Sequence, residues 1–301
     1  MFKKDDLKRP ANPVVTDLKT LWRTMMDPNR DLPDDLDDWL IKPKIELTRL
    51  NPKLTWLAHS TFLIEIDGLI GVIDPFWGDY KVAGVTLYKR LVPPVIPLEE
   101  LPKIDFICIS HNHTDHCDTN ALKTIVAKND KIIAYIPFGD RKLFESIGYT
   151  DIHELKWYES VRLEDITLTF LPAAHSADGD SWFGSWLFQI GDKSFYHAGD
   201  TGYASHFKEI SDVYSIDVAI LPIAPYTMRD LQEPAHTDQA EAIKAFIDLD
   251  AKIMVPMHWG TLPFCNDKFN ECIQIMINEW NKKQLDGKEL KILKFGETFC
   301  W

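Results

Sequence analysis

Between His111 and His116 the chain reads His-Asn-His-Thr-Asp-His, placing three histidines and one aspartate within six residues. Imidazole nitrogens and carboxylate oxygens are the donors that a borderline divalent cation such as zinc takes up. Crowding so many groups that can carry charge has no packing benefit. The spacers Asn112 and Thr114 let alternate residues of an extended turn point the same way. The competing account is a polar turn that happens to be rich in histidine. What decides between them is whether the rest of the chain supplies further ligands in a matching context.

The motif follows a short apolar run, residues 104–109, and three other apolar runs end in the same manner. Residues 167–171 lead into His175, residues 194–196 into His197-Ala-Gly-Asp200-Thr-Gly202, and residues 252–255 into His258. Loops at strand ends are where α/β proteins build their sites. Alone, His175 or His258 reads as an ordinary surface or core histidine, and Gly199-Asp200-Thr-Gly202 as a turn. Arriving in this order, each after a strand, they read as ligands. A catalytic zinc uses about three protein ligands plus water, so His111, His113, Asp115, His116, His175, Asp200 and His258 are too many for one ion. They suit two ions roughly 3.5–4 Å apart. His111, His113 and His175 would hold one, Asp115, His116 and His258 the other, and Asp200 would bridge.

Those loops need strands behind them. Residues 54–58, 61–66 and 69–73 read as strands, with Asp67-Gly68 as a hairpin turn. Further strands are expected at 131–136, 166–171, 185–190 with 193–196 around Gly191-Asp192, 218–221 and 252–255. Helices are expected at 119–126 behind an Asp118 or Thr119 cap, at 141–147 ended by Gly148, at 238–249 and at 269–283. Strands first and alternating units later predict one α/β domain with stacked sheets and helices outside. No linker or repeat divides it, so residues 51–301 are expected to form the domain and residues 1–50 an N-terminal extension. In the extension, Leu18, Leu21, Trp22 and Met25 fall at helical spacing, and residues 31–38 form an acidic, solvated loop.

An apolar share of 45% and a charged share of 26% are those of a globular protein. The net charge of −13 argues against nucleic acid and anionic membrane surfaces as partners, since both reward basic patches. The five cysteines, Cys108, Cys117, Cys265, Cys272 and Cys300, show no C-x-x-C spacing. Together with a polar start lacking a signal peptide and with no run long enough to span a membrane, they predict a cytoplasmic protein. The expected partner is a small-molecule or lipid-like substrate, and a homo-oligomer is compatible with this composition.

The ordered set His111-x-His113-x-Asp115-His116, His175, Asp200 and His258 resembles that of the metallo-β-lactamase superfamily. The resemblance implies a four-layer αβ/βα sandwich with a binuclear site at the sheet edge. Within it the chain is similar to the branch of N-acylphosphatidylethanolamine-hydrolysing phospholipase D and ascorbate-6-phosphate lactonase. The matching stretches are residues 56–65, Asp74-Pro75, residues 109–113, 197–203 and 221–226, His236, and Met257-His-Trp-Gly-Thr261. They cover roughly residues 54–262. One departure stands out: the phospholipase branch carries a basic residue shortly after the third histidine, whereas this chain reads His175-Ser-Ala-Asp-Gly-Asp180. Arg229 is the candidate to replace it.

The implied reaction is hydrolysis by a hydroxide bridging two divalent ions, zinc first, with manganese or iron as alternatives. Asp115 and Asp200 serve as both ligands and catalytic groups, and His236, outside the ligand set, is expected to contact substrate or leaving group. His59 and Asp74 are expected to hydrogen-bond the site loops, His197 to turn into the sheet, and Cys117 to be a packed thiol. The leading expectation is a phosphodiesterase. A lactonase acting on a small sugar-like lactone is the alternative, and a non-catalytic binding protein on the same scaffold is a third. There is no G-x-S-x-G elbow and no phosphate-binding glycine-rich loop.

Overall fold

The computed structural model describes residues 33–45, 52–82, 84–176, 179–229, 235–264 and 267–301. The helical pattern at residues 18–25 and part of the acidic stretch after His175 lie outside the described residues. Strands β1 (Lys53–Ala58), β2 (Thr61–Ile66) and β3 (Leu69–Ile73) form an antiparallel meander. Asp67 and Gly68 join β2 to β3 with φ of 48° and 80°, the two positive values that a tight two-residue hairpin turn requires. A small separate hairpin follows, β4 (Tyr80–Val82) with β5 (Val85–Tyr88).

The chain then alternates. Strand β6 (Phe106–Cys108) leads to helix α1 (Thr119–Lys128), β7 (Ile133–Pro137) to α2 (Arg141–Ile147), and β8 (Asp151–Leu155) closes that run. A second sheet begins with the antiparallel strands β9 (Ser160–Leu163), β10 (Ile166–Leu171), β11 (Ser185–Ile190) and β12 (Lys193–His197). After α3 (His206–Ser211) it continues in parallel through β13 (Val218–Pro222), α4 (Gln239–Asp248), β14 (Ile253–Met257), α5 (Phe269–Lys283) and β15 (Glu289–Leu290). Strand β16 (Thr298–Cys300) returns to pair with β1. The two sheets have seven strands each, in the orders β16-β1-β2-β3-β6-β7-β8 and β15-β14-β13-β12-β11-β10-β9.

Period-two alternation sorts the first sheet's side chains between two cores. Trp56, Phe62, Ile64 and Phe106 pack with Leu168, Phe170 and Phe188 of the second sheet. Leu63, Val72 and Ile107 face the other way, onto Leu122 and Ile125 of α1 and Phe144 of α2. Ala242 and Phe246 of α4 and Met276 of α5 pack with the second sheet. The result is the expected α/β sandwich of helices, sheet, sheet and helices. Residues 33–45 lie against the C-terminal part of the body: Leu40 bridges to Phe295, and the Trp39 ring meets Trp259 and Phe269 edge-on at 5.4 and 5.7 Å. The acidic residues 34–38 there are largely exposed and contain one short turn of 3-10 helix.

Six predicted elements match their bounds: β2, β3, β10, β11, α2 and α5. Helix α1 runs two residues beyond its expected end, and β7 starts at Ile133 rather than residue 131. The hairpin β4–β5, the strands β8, β9, β15 and β16, and helix α3 were not anticipated. They are short or alternate polar with apolar residues, and tertiary pairing rather than local pattern defines them.

Asp118 does the most work at the junction of motif and helix. Its Oδ1 accepts from the backbone N–H groups of Asn120 and Ala121, and its Oδ2 from those of Trp77 and Gly78. One side chain thus caps α1 and ties it to the loop leaving β3. Asp118→Ala is expected to lower unfolding stability by about 2 kcal/mol. Urea denaturation checks this, and an unchanged midpoint would show that the cap is not used.

Candidate metal centre

The motif loop after β6 packs against the loops leaving β3, β10, β12 and β14. Gly199 makes this approach feasible. Its φ is 59°, and a Cβ there would lie 2.6 Å from Ser110 Cβ and 3.0 Å from the Gly184 carbonyl oxygen. The loop carrying Asp200 therefore sits directly on the motif. Three non-glycine residues at the centre also have positive φ: His59 (53°), Asp74 (45°) and His258 (65°). Each such conformation costs about 1–3 kcal/mol and persists only where neighbours hold it. Here the His258 N–H donates to the His59 carbonyl at 3.1 Å, Trp56 Nε1 donates to the same carbonyl at 2.8 Å, and the His59 N–H donates to Thr261 Oγ1 at 2.8 Å.

The imidazoles are aimed by what holds their far nitrogens. His175 Nδ1 sits 2.9 Å from the Ala235 carbonyl, His258 Nδ1 2.9 Å from the Ala224 carbonyl, and His116 Nδ1 2.8 Å from Asp74 Oδ2. Donating Nδ1–H outward aims Nε2 inward, the arrangement that orients metal-binding histidines. Asp74 also accepts from Ser110, through the hydroxyl at 2.6 Å and the backbone N–H at 2.7 Å.

Two clusters result. In one, His113 Nδ1 lies 3.0 Å from His111 Nε2 and 3.3 Å from His175 Nε2. In the other, Asp115 Oδ2 lies 3.0 Å from His59 Nε2, 3.7 Å from His116 Nε2 and 3.9 Å from His258 Nε2. Asp200 spans them. Its Oδ1 is 3.3 Å from His116 Nε2 and 3.1 Å from His258 Nε2, while its Oδ2 is 3.8 Å from His175 Nε2 and 3.6 Å from His236 Nδ1. All seven residues singled out in the sequence are brought together, and His236 joins them.

The clusters differ in charge. Burial, reinforced by neighbouring imidazoles, holds His111 and His175 well below the usual histidine range, so they are neutral. Burial alone would do the same to His116 and His258, but Asp200 and Asp115 override it. His116 is raised well above its ordinary value, and His258 is raised to about 9. Burial would likewise raise Asp115 and Asp200, yet the facing imidazoles hold both well below the usual carboxylate range. The donor set fits divalent cations. The inward atoms His116 Nε2, His258 Nε2, Asp200 Oδ1 and His236 Nδ1 are buried and make no hydrogen bond, although buried polar groups normally make one. The groups His111/His113/His175 and His59/Asp115/His116/His258 each place their donor atoms within 4.8 Å of one another.

Other expectations resolve as follows. His59 does hydrogen-bond a site loop, but it reaches Asp115 itself, and nothing in its local sequence marked it as part of the cluster. His197 turns into the sheet, its Nε2 2.9 Å from the Ser60 carbonyl. Cys117 is buried, and burial raises its thiol well above the ordinary range. Arg229 does not replace a basic residue facing the centre. Its guanidinium pairs with Glu241 and Asp238 at the start of α4 and donates to the His236 carbonyl at 2.9 Å, so it braces the His236 loop. Asp140 was missed. It opens α2 without capping it and instead accepts from Asn112 Nδ2 at 3.0 Å and Ser181 Oγ at 2.6 Å, holding the motif between His111 and His113.

Comparison with known proteins identifies the family and the fold. A family model described as Beta-lactamase superfamily domain matches residues 72–259. The chain is 35% identical over 230 residues to N-acyl-phosphatidylethanolamine-hydrolyzing phospholipase D 1 of Caenorhabditis elegans, covering 69% of this chain and 64% of that one. It therefore spans less than two thirds of that relative. It is 29% identical over 249 residues to a metal-dependent hydrolase of Hyperthermus butylicus, covering 81% of this chain and 97% of the other. Among solved structures, a metallo hydrolase from the archaeon Ignicoccus hospitalis shares the fold at a TM-score of 0.63 and 23% identity, over 83% of this chain and 98% of that one. No helix among the described residues is long and apolar enough to cross a membrane.

Two outcomes are expected. Asp74→Ala frees the His116 ring and should weaken zinc binding by about 10–100-fold, read by competition with a chromogenic chelator. Unchanged affinity would remove Asp74 from the support of the centre. Because His258 keeps its proton up to about pH 9 while a cation takes neutral imidazole, zinc loading near about pH 7.5 should release protons into weak buffer. Affinity should then rise with pH towards 9, and loading without proton release would contradict the assigned charge state.

Proposed function

The chain belongs to the metallo-β-lactamase superfamily, and from that premise we propose that it is a metal-dependent hydrolase, that two divalent cations, zinc first, occupy its centre and that it cleaves a phosphodiester. The observation that carries the two-cation reading is the division of the Asp200 carboxylate, one oxygen towards His116 and His258, the other towards His175. His111, His113 and His175 would hold one cation, Asp115, His116 and His258 the other, and Asp200 both. When bound, such a pair supplies an activated water near neutral pH and neutralises charge developing on the scissile group.

The chain's own residues do the rest. Asp115 and Asp200, buried and ionised, offer fixed negative charge, and Asp74 keeps the His116 ring from turning. His236 is the substrate-contacting group. Its side chain is 17% exposed, and burial lowers its pKa to about 4 even though Asp200 opposes the shift. At neutral pH it therefore meets substrate as an uncharged imidazole that makes a hydrogen bond. The phosphodiester assignment rests on likeness to the nematode phospholipase D. The commitment of Arg229 to α4 favours the second reading, a lactonase for a small sugar-like lactone, because that substrate needs no arginine.

Metal analysis of reconstituted protein should find about two ions per chain; one ion or none would sink the binuclear reading. Asp200→Ala should abolish turnover while leaving the folded circular-dichroism spectrum intact. Side-by-side assays with an aryl phosphodiester, an N-acylated phospholipid and a sugar lactone decide the substrate class, and activity on the lactone alone would replace the phosphodiesterase reading.

A further inference from the structure

One aromatic ring outside the proposed ligand set, Phe264, lies against the centre, and two tyrosines pack on it. Phe264 stacks on the His258 imidazole at 5.7 Å with 15° between planes and lies 5.9 Å from the His59 ring. Tyr80 and Tyr88 meet Phe264 edge-on at 5.5 and 5.3 Å and meet each other at 5.9 Å. All three are half-buried, and none belongs to either core cluster. The tyrosines come from the β4–β5 hairpin, which joins neither seven-stranded sheet. Thr114 of the metal motif donates through its hydroxyl to the Lys81 carbonyl at 2.9 Å, and so fastens the hairpin to the centre.

Large aromatic rings that are partly open to solvent, contribute to no core and line one side of a polar cluster are the usual walls of a small-molecule site. We propose that Tyr80, Tyr88 and Phe264 form a subsite for the apolar substituent of the substrate, on the His59 and His258 side of the centre. The proposal rests on the hydrolase reading above and adds to it where the non-reacting part of the substrate lies. A phosphorylated head would sit at the histidines and its alkyl or aryl group on the rings. Each methylene buried there contributes about fourfold in affinity.

Calorimetric titration of the zinc-loaded protein with methyl, octyl and phenyl phosphate tests this. Octyl or phenyl phosphate should bind at least about tenfold tighter than methyl phosphate, and which of the two binds better tells chain from ring. Phe264→Ala and Tyr88→Ala should cut that preference to less than about threefold by weakening octyl and phenyl phosphate. Phe264→Leu, which keeps an apolar group in place, should retain part of the octyl preference and serves if an alanine variant does not fold. Equal affinity for the three phosphates, undetectable binding of all of them, or a preference that survives Phe264→Ala would overturn the subsite. If the preference behaves as stated but no phosphodiester is hydrolysed, the subsite stands and the phosphodiesterase reading falls.

Discussion

Two carboxylates, Asp115 and Asp200, are 4% and 3% exposed between the two sheets, and buried charge must be balanced. That requirement organises the centre. His116 and His258 face both carboxylates and hold protons against their own burial, whereas His111 and His175, farther from Asp115, stay neutral. The protein therefore presents one cluster of bare lone pairs beside one that is already ion-paired, joined by Asp200. Hydrolytic chemistry is the use proposed for this arrangement, but the arrangement itself follows from electrostatics at low dielectric.

Holding those groups together demands backbone that would not adopt its shape alone. His59, Asp74 and His258 take left-handed conformations, and Gly199 lets one loop touch another at Ser110. Rigid strands end where these loops begin, and long-range hydrogen bonds such as His258 to His59 lock them. Three strained residues thus meet where the site is assembled, each held by its neighbours.

Much of this was legible in the sequence, for physical reasons. Strand β10 and the long α5 announce themselves because their side chains repeat with the period of the local backbone, and β2 because it is a short apolar run between turns. The seven residues that meet at the centre stood out because each follows such a strand, where a polar cluster has no packing purpose. What escaped were contacts that no local pattern encodes. Strand β16 pairs with β1 from the far end of the chain, His59 reaches Asp115, and Asp140 grips Asn112 instead of capping its own helix. Arg229 looked available because its type suits phosphate, but the partners that claim it, Glu241 and Asp238, lie at the start of α4.

The hairpin from Tyr80 to Tyr88 touches the centre yet lies outside both sheets, with Val85 at its turn 62% exposed. None of its described side chains belongs to the buried core. Mutation, lengthening or exchange of this segment is thus free of the penalties that guard the sheets. Natural selection, or a protein engineer, has here a module whose drift would redirect what the protein accepts while the machinery behind it is inherited unchanged.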